Sequence, residues 1–346
     1  MKNKLSRVYK FLIRKTKLLS LFFSKKISLG NENPDLTFYL IRRHNNISGV
    51  FSNHNVFLKH IYFAFKNNYI PVIDMQYEES CLYHEKDQVG DVNAWELFFE
   101  QPTKFKLKDV LISKNIILST NKVEGAFDLN IQYLLKNKNN LNSWIEITDK
   151  FLRYNKKTSN YLESNYKNYI PKNKKVLGVS VRAGYIKGKY KGHPVQPGIE
   201  ELIDRVKRCF TKYNYDLVFL SVEDYEVVHK FKEEFNEKLL VVKRPRLNDV
   251  NFNISKNSDF NNKLYKKESK NTVEESSLEN LNNFMDTISF ERKNDKYLKG
   301  LEYMSEMYIL SKLDGLICGE TSGTVATVLR NKNGFDNLYF YNLGVY

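Results

Sequence analysis

KVLGVSVRAGYIKGKYKGHPVQP, residues Lys175–Pro197, is the most informative stretch of the chain. Its apolar, β-type run, Val176–Val181, ends at Arg182 and is followed by a loop rich in Gly, Lys and Tyr. Pro197 and Gly198 then open an amphipathic helix. An arginine at the carboxyl end of a buried strand lies where open α/β sheets bind ligands, and its planar guanidinium suits a pair of phosphate oxygens. We therefore expect a phosphate-bearing ligand at Arg182.

Strands and helices alternate on both sides of this stretch. In the C-terminal half, the pattern predicts strands at 176–181, 217–221, 239–242, 315–318 and 337–341, with helices at 198–213, 224–235, 297–312 and 324–330. In the N-terminal half, it predicts a strand at 36–41, a turn with Gly49, a helix at 53–67, and strands at 70–75 and 116–118. This alternation is typical of doubly wound parallel sheets. Two such sheets in tandem predict an α/β protein with two Rossmann-like domains facing a central cleft.

The length of 346 residues agrees with this division, since it is long for one compact domain. We assign residues 1–30 to a basic amphipathic segment, 31–170 to an N-terminal Rossmann-like domain and 171–346 to a C-terminal Rossmann-like domain. Within the second domain, residues 245–295 form a polar insertion. Its length exceeds that of an ordinary loop, so it is either a functional lid or a species-specific polar excursion.

Composition excludes several classes of protein. The hydrophobic content of 42% supports a packed core. The net charge of +15 is spread along the chain, and no nucleic-acid recognition motif is present, so we expect no nucleic-acid partner. The cysteines Cys81, Cys209 and Cys318 show no metal-binding spacing, which indicates a reducing compartment and no metal site.

The N-terminus differs from the rest of the chain in its charge. Every charged residue between Met1 and Gly30 is basic, and apolar residues recur among them at helical spacing. The apolar run Leu18–Phe23 is far shorter than the roughly 20 residues of a membrane span. The segment is either a helix on an anionic membrane surface or a solvated helix that leads into the fold, and we favour the membrane. This predicts a cytoplasmic protein, peripheral at the inner face of the cell membrane.

Polar residues follow the predicted strands of the C-terminal half. Arg182 follows the first strand and Ser221 ends the second, while the turn CGETSGTVA begins a helix at Thr321, Ser322 and Thr324. These hydroxyls are either ordinary helix caps or, with the free amides, ligands for a diphosphate held from the other side by Arg182. No Gly-rich dinucleotide fingerprint, P-loop or DxD pair is present, which favours handling of the diphosphate without a metal.

The same stretches resemble a known superfamily. VSVRAGYIKGKYKGHPVQP and EYMSEMYILSKLDGLICGETSGTVATVL resemble two motifs of the GT-B fucosyltransferases, and NYIPVIDMQ with DVNAWELFFEQP resembles bacterial surface-polysaccharide glycosyltransferases. The resemblance runs from Leu36 to the end, without 245–295. It departs from the family at Ser180, where a histidine is usual, and at Tyr185, where an aspartate is usual, and both departures concern the identity of the donor.

The resemblance implies a set of site residues. Arg182 would bind the β-phosphate and stabilise the leaving diphosphate, and His193 would lie in the donor loop. The other donor-binding residues that it implies are Ser221, Glu306, Asp314, Thr321, Ser322, Gly323 and Thr324, with Glu306 and Asp314 near the nucleobase and ribose. Alternatively, His193 is a plain loop residue and the two acids are solvated charges.

On the acceptor side, carboxylates of the first domain are the candidates for orienting a hydroxyl. Glu100 is the favoured catalytic residue, and the further acceptor-side candidates are Gly49, Asp74, Asp91 and Glu96. The alternative for the acids is surface charge or loop capping, and for Gly49 a plain turn glycine.

Together with these residues, the resemblance implies an inverting, metal-independent glycosyltransferase without a cofactor, with 31–170 as its acceptor-side domain and 171–346 as its nucleotide-sugar-binding domain. Its donor would be a nucleotide sugar, most simply GDP-fucose, and its acceptor a lipid-linked saccharide or an oligosaccharide of a bacterial surface polysaccharide. Two rivals stay open at this point: a catalytically degenerate nucleotide- or carbohydrate-binding protein of the same fold, and an enzyme that transfers a different group to the same polysaccharide.

Overall fold

The computed structural model describes residues 25–43, 48–76, 83, 85–120, 123, 129–182, 193–246 and 290–346. The chain divides into two compact units, Met1–Asn160 and Tyr161–Tyr346. Each unit contains a sheet with parallel strands and helices between them. The predicted α/β class is thereby confirmed.

The sheet of the first unit runs in the order β1-β4-β2-β3. Its strands are β1 (Lys25–Ile27), β2 (Glu32–Ile41), β3 (Ile70–Ile73) and β4 (Ser113–Leu118). Strand β2 is parallel to β3 and to β4, whereas β1 is antiparallel to β4. The expectation of an amphipathic segment over residues 1–30 is corrected at its end, because Ile27 packs against the core and draws Lys25–Ile27 into the sheet. Residues 1–24 lie outside the described part of the chain.

Helices cover the first sheet and lead away from it. They are α1 (Val50–Lys66), α2 (Leu107–Val110), α3 (Ile131–Lys136), α4 (Lys138–Phe151) and α5 (Lys156–Tyr169), with 3-10 turns at Lys86–Gln88 and Ala94–Leu97. Helix α1 follows β2 and buries Phe57, Leu58 and Ile61. The division between the units falls inside α5.

The sheet of the second unit is entirely parallel, in the order β7-β6-β5-β8-β9. Its strands are β5 (Val176–Ser180), β6 (Leu217–Ser221), β7 (Leu239–Leu240), β8 (Gly315–Gly319) and β9 (Asn337–Tyr341). Its helices are α6 (Ile199–Lys212), α7 (Tyr225–Phe235), α8 (Asp295–Leu310) and α9 (Ser322–Arg330), with a 3-10 turn at Asn236–Lys238. The chain therefore passes from β5 through β6 to the outermost strand β7. It then returns to β8, on the other side of β5, and ends at the outermost strand β9. The point between β5 and β8 is the topological switch point of the sheet.

Apolar burial explains why these segments adopt this arrangement. All residues of β5 are buried, as a continuous apolar run in the centre of a parallel sheet requires. Helix α6 packs Leu202, Ile203 and Val206 against the sheet, while Glu200 and Glu201 lie in its first turn, where the helix dipole favours acidic residues.

The predicted insertion is described only at its ends, because residues 247–289 lie outside the described part. Both ends are tied to α8 by ion pairs. Arg246 Nη2 lies 2.9 Å from Glu306 Oε1 on one side, and Arg292 Nη1 lies 2.6 Å from Glu302 Oε1 on the other. Of the helices in the described residues, none has the length and apolar character needed to cross a membrane.

Candidate functional site

The carboxyl ends of β5 and β8 form the edge at which the sequence predicts a ligand. Ser180 pairs with Cys318 in parallel register, so the residues that follow the two strands lie at the same edge. Arg182 follows β5, and the turn to α9 at Thr321 follows β8. The structure thus brings Arg182 and the start of α9 to the switch point, where open α/β sheets bind their ligands.

Arg182 lies at this edge, two residues beyond the end of β5. Its backbone N–H donates to Gln196 Oε1 over 3.1 Å, and its side chain is half-buried. Across the part of the chain that the structure describes, its guanidinium makes no hydrogen bond or ion pair. A partly desolvated cation without a carboxylate partner attracts an anion, and the guanidinium fork offers parallel N–H donors to two phosphate oxygens.

The start of α9 is built by reciprocal threonine bonds. Thr321 Oγ1 accepts from the amide of Thr324 over 3.0 Å, and Thr324 Oγ1 accepts from the amide of Thr321 over 2.9 Å. The hydroxyl of Thr324 is fully buried and donates to Gly319 O over 2.8 Å. The expected contact of the Thr324 side chain with a phosphate is therefore wrong, because this hydroxyl closes the turn.

Ser322 and Gly323 are the next residues of that first turn. Ser322 is exposed, and the first amides of a helix have no acceptor within the helix itself. Gly323 is buried beneath Tyr303. The amides of Ser322 and Gly323, with the dipole of α9 behind them, are suited to an anion.

Tyr303 is a site residue that the sequence analysis missed. A Cβ added at Gly323 would overlap the hydroxyl of Tyr303, so this hydroxyl lies directly against the first turn of α9. Burial, and then the charge of Glu223, raise the pKa of Tyr303 to about 12, whereas Arg182 and a hydrogen bond with Thr321 lower it. Tyr303 is therefore a neutral hydroxyl at neutral pH, packed against the start of α9 and close enough to Arg182 to feel its charge.

His193 lies near Arg182 on the far side of the loop 183–192. Burial, and then the charge of Arg182, lower the pKa of His193, which favours its neutral form. Its carbonyl accepts from the amide of Tyr346 over 3.0 Å, and the next residues pair with Gly344 and Val345. Loop residues 183–192, which include Tyr185 and the lysines near Arg182, lie outside the described residues.

Glu306 and Ser221 occupy a buried ion cluster instead of a binding surface. Glu306 is fully buried, and its oxygens accept from Arg244 Nε over 2.7 Å, from Arg246 Nη2 over 2.9 Å and from Ser221 Oγ over 2.7 Å. Burial would raise the pKa of Glu306, but the charges of Arg244 and Arg246 outweigh burial and lower it. The expected donor contacts of Glu306 and Ser221 are corrected: Ser221 donates to Glu306, and Glu306 holds the two arginines, which donate to Val222 O and Val242 O beyond β6 and β7.

Asp314 lies at the opposite edge of the sheet from Arg182. It precedes β8, and its Oδ2 accepts from the amide of Val176, the first residue of β5, over 2.9 Å. Residues before parallel strands and residues after them lie at different edges. The expected role of Asp314 near the donor is therefore wrong.

In the first unit, Asp74 and Gly49 have structural surroundings. Asp74 Oδ2 accepts from Arg42 Nε over 2.9 Å, and Asp74 Oδ1 accepts from the amide of Gln76 over 3.0 Å. Asp74 is buried, so its expected contact with an acceptor is corrected to an ion pair that joins the ends of β2 and β3. Gly49 is exposed and is the N-cap of α1.

The other carboxylates of the first unit lie at its surface. Asp91, Glu96 and Glu100 are all exposed. Glu100 Oε2 accepts from Arg153 Nε over 2.9 Å, in an ion pair whose two side chains are both about half exposed. The acceptor-side roles of Asp91, Glu96 and Glu100 stay predictions.

No protein-family model matches the chain, and no curated protein matches it. Among solved structures, it is similar to the fucosyltransferase NodZ from Bradyrhizobium, with 11% identity, a TM-score of 0.43, and coverage of 86% of this chain and 92% of NodZ. It is similar to a mutant of Arabidopsis thaliana FUT1 in complex with GDP, with 9% identity, a TM-score of 0.46, and coverage of 97% and 78%. For POFUT1 in complex with GDP the identity is 8%, the TM-score 0.45 and the coverage 90% and 100%.

Of these three, NodZ is named as a fucosyltransferase, and the FUT1 and POFUT1 structures are complexes with GDP. Among the described residues, no group of three or more His, Cys, Asp or Glu side chains is arranged to hold a metal ion.

Proposed function

We propose that this protein is a glycosyltransferase that uses a nucleoside diphosphate sugar. The observation that carries the proposal is the guanidinium of Arg182, half-buried without a carboxylate partner among the described residues, beside the first turn of α9 at the switch point. A guanidinium and a helix start at one edge are the groups that bind linked phosphates.

The same groups account for catalysis. When a sugar leaves a nucleoside diphosphate, negative charge develops on the diphosphate. Arg182 neutralises that charge, and the amides of Ser322 and Gly323 donate to the phosphate oxygens. Tyr303 adds a neutral hydroxyl donor at the same place. Preorganised donors of this kind stabilise a transition state without reorganisation of solvent, and they support transfer without a metal ion.

The remaining parts of the proposal come from the motifs. GDP-fucose is the favoured donor, because the quoted motifs resemble GT-B fucosyltransferases. The acceptor is a lipid-linked saccharide or an oligosaccharide of a bacterial surface polysaccharide, attacked from the face opposite the leaving group, with inversion. One of the exposed acids, Glu100, Glu96 or Asp91, orients its hydroxyl. The basic N-terminal segment holds the enzyme at the cytoplasmic face of the membrane.

A panel of nucleotide sugars, assayed in the presence of a chelator, tests the proposal. We expect release of GDP from GDP-fucose, accelerated by a saccharide acceptor. Binding of a nucleoside diphosphate without any turnover would favour the second candidate, a degenerate binding protein, which Ser180 and Tyr185 support because the family has other residues there. A wild-type protein that binds none of the nucleotides in the panel contradicts both.

A further inference from the structure

Gln196 fills the gap between the carboxyl ends of β5 and β8. Its side chain is almost completely buried, and each end of its amide is engaged. Oε1 accepts from the amide of Arg182 over 3.1 Å, and Nε2 donates to Glu320 O over 3.3 Å and to Pro194 O over 3.4 Å. A single side chain thus joins the residue that follows β5, the residue that follows β8 and the loop before α6.

Gly319 shows how closely this amide packs on β8. A Cβ at Gly319 would overlap Gln196 Oε1 and lie 2.9 Å from its Cδ, a distance that real contacts do not reach. The last residue of β8 is therefore a glycine because the amide of Gln196 occupies the space of its side chain. We call the packed pair of Gln196 and Gly319 the interlock. It lies at the switch point, between the carboxyl ends of β5 and β8.

We infer that Gln196 is a positioning residue for the diphosphate, an inference that rests on the proposed function. The guanidinium of Arg182 makes no bond with the described residues, so its place depends on its backbone. Strand β5 holds that backbone from one side, and Gln196 holds it from the other and ties it to the turn before α9. The interlock therefore sets the spacing between Arg182 and the start of α9.

This spacing decides whether Arg182 and the amides of α9 reach the two phosphates together, and misplacement of a catalytic group by about 1 Å costs up to about a hundredfold in rate. A purely structural role would lower stability and weaken every ligand equally. A positioning role predicts a loss confined to the phosphate part of the ligand. Comparing GDP with guanosine, which has no phosphate, separates the two.

The experiment uses the full chain with the variants Gln196→Ala, Gly319→Ala and the double variant. Titration calorimetry gives the affinity for GDP, a competition titration gives that for guanosine, and urea unfolding gives stability. We expect Gln196→Ala to weaken GDP by about tenfold or more, the scale of one hydrogen bond to a charged group, and to leave guanosine unchanged. Gly319→Ala alone should lower the affinity for GDP by a similar factor. Added to Gln196→Ala, it should lower the affinity much less, because its methyl group then occupies the space that the glutamine side chain has left.

Gly315→Ala is the matched control on the same strand. A Cβ there would overlap the hydroxyl of Tyr215 at the other end of β8. We expect it to lower the free energy of unfolding without changing the affinity for GDP. If Gln196→Ala does not fold, Gln196→Met replaces it, since methionine fills the same volume and lacks the amide.

The outcomes separate this inference from the proposed function. If the wild type binds GDP and a folded Gln196 variant binds it equally well, the inference is wrong and the proposed function stands. Equal losses for GDP and guanosine also overturn the inference, because they indicate a structural role. A wild-type protein that binds no nucleoside diphosphate overturns the proposed function and this inference together.

Discussion

Both units have an arginine close after the first parallel strand of the sheet, and the two arginines have different surroundings. Arg42 follows β2, is buried and pairs with Asp74 over 2.9 Å, and its amide donates to Ser119 Oγ over 2.9 Å. Arg182 follows β5, is half-buried, and has no carboxylate partner in the described residues. Of two arginines that follow the first parallel strand of their unit, one pairs with a carboxylate beyond the neighbouring strand, and the other has no such partner within the described ranges.

The difference follows from the cost of removing a charge from water. A buried charge is tolerated when an opposite charge and hydrogen bonds compensate it. Arg244 and Arg246 obey this rule through Glu306, as Arg42 does through Asp74. Arg182 lacks such compensation from the described residues, so an anionic ligand would supply it.

The largest effect that this comparison predicts concerns Asp74. Asp74→Ala leaves Arg42 buried without its partner, so we expect the free energy of unfolding to fall by about 3–5 kcal/mol, the cost of breaking a buried pair. Urea unfolding measures this loss. Variant protein that is still folded should bind GDP as the wild type does, and a selective loss of activity at unchanged stability would instead make Asp74 an acceptor-side residue.

Arg182→Ala should show the converse behaviour. Because its guanidinium has no described partner, we expect stability close to that of the wild type. Turnover should fall by about 10²–10³, the effect of removing one preorganised electrostatic donor. Arg182→Lys keeps the charge without the fork and should lie between the two. A turnover that does not depend on residue 182 would remove it from the mechanism.

Much of the second sheet could be predicted from the sequence, and so could the edge at which Arg182 and the start of α9 come together. Strand ends are predictable there because continuous apolar runs are interrupted by polar residues, and the carboxyl ends of parallel strands share an edge. The same rule excludes Asp314 from this edge, because Asp314 precedes β8 and therefore lies at the amino ends of the strands. The family resemblance led to the opposite expectation, and the position relative to the strand is the better guide.

Other parts of the site have no signal in the sequence. Tyr303 and Glu306 lie one turn apart on α8, yet one faces the start of α9 and the other faces two arginines, because their contacts depend on how the helix packs. Gln196 lies between two prolines in a loop and reaches two strand ends only in three dimensions. The strand at Lys25–Ile27 was not predicted, because Lys25 and Lys26 continue the basic pattern of the N-terminal segment.

A smaller effect is expected at Tyr303, which sharpens the picture of the Arg182 edge. Tyr303→Phe removes one neutral hydroxyl donor and keeps the ring, so we expect about three- to tenfold weaker binding of GDP, the range of one ordinary hydrogen bond. Titration calorimetry measures it. Tyr308→Phe on the same helix is the control, because its hydroxyl donates to Glu163 and should affect stability alone. Equal affinities for Tyr303→Phe and the wild type would exclude this hydroxyl from the site.

The smallest effect concerns His60 of α1, in the interior of the first unit. The ring is fully buried, its Nδ1 lies 3.0 Å from Tyr39 Oη, and its Nε2 has no partner among the described residues. Burial, and then the charges of Lys59 and Arg43, lower the pKa of His60 to about 3. The folded protein thus keeps His60 neutral, while the unfolded chain binds a proton below about pH 6.5.

The contribution of His60 to the free energy of unfolding is therefore fully present above pH 6.5. It decreases as the pH falls from 6.5 toward the pKa of His60 in the folded protein. Between pH 6.5 and 5.5 we expect the free energy of unfolding to fall by about 1 kcal/mol. Urea unfolding across this range measures the slope, which His60→Gln should lessen; His193, whose pKa is also lowered in the folded protein, keeps a part of it. His229→Gln, on the exposed surface of α7, is the control for replacing a histidine. An unchanged slope in His60→Gln would mean that other groups of the protein carry the acid sensitivity.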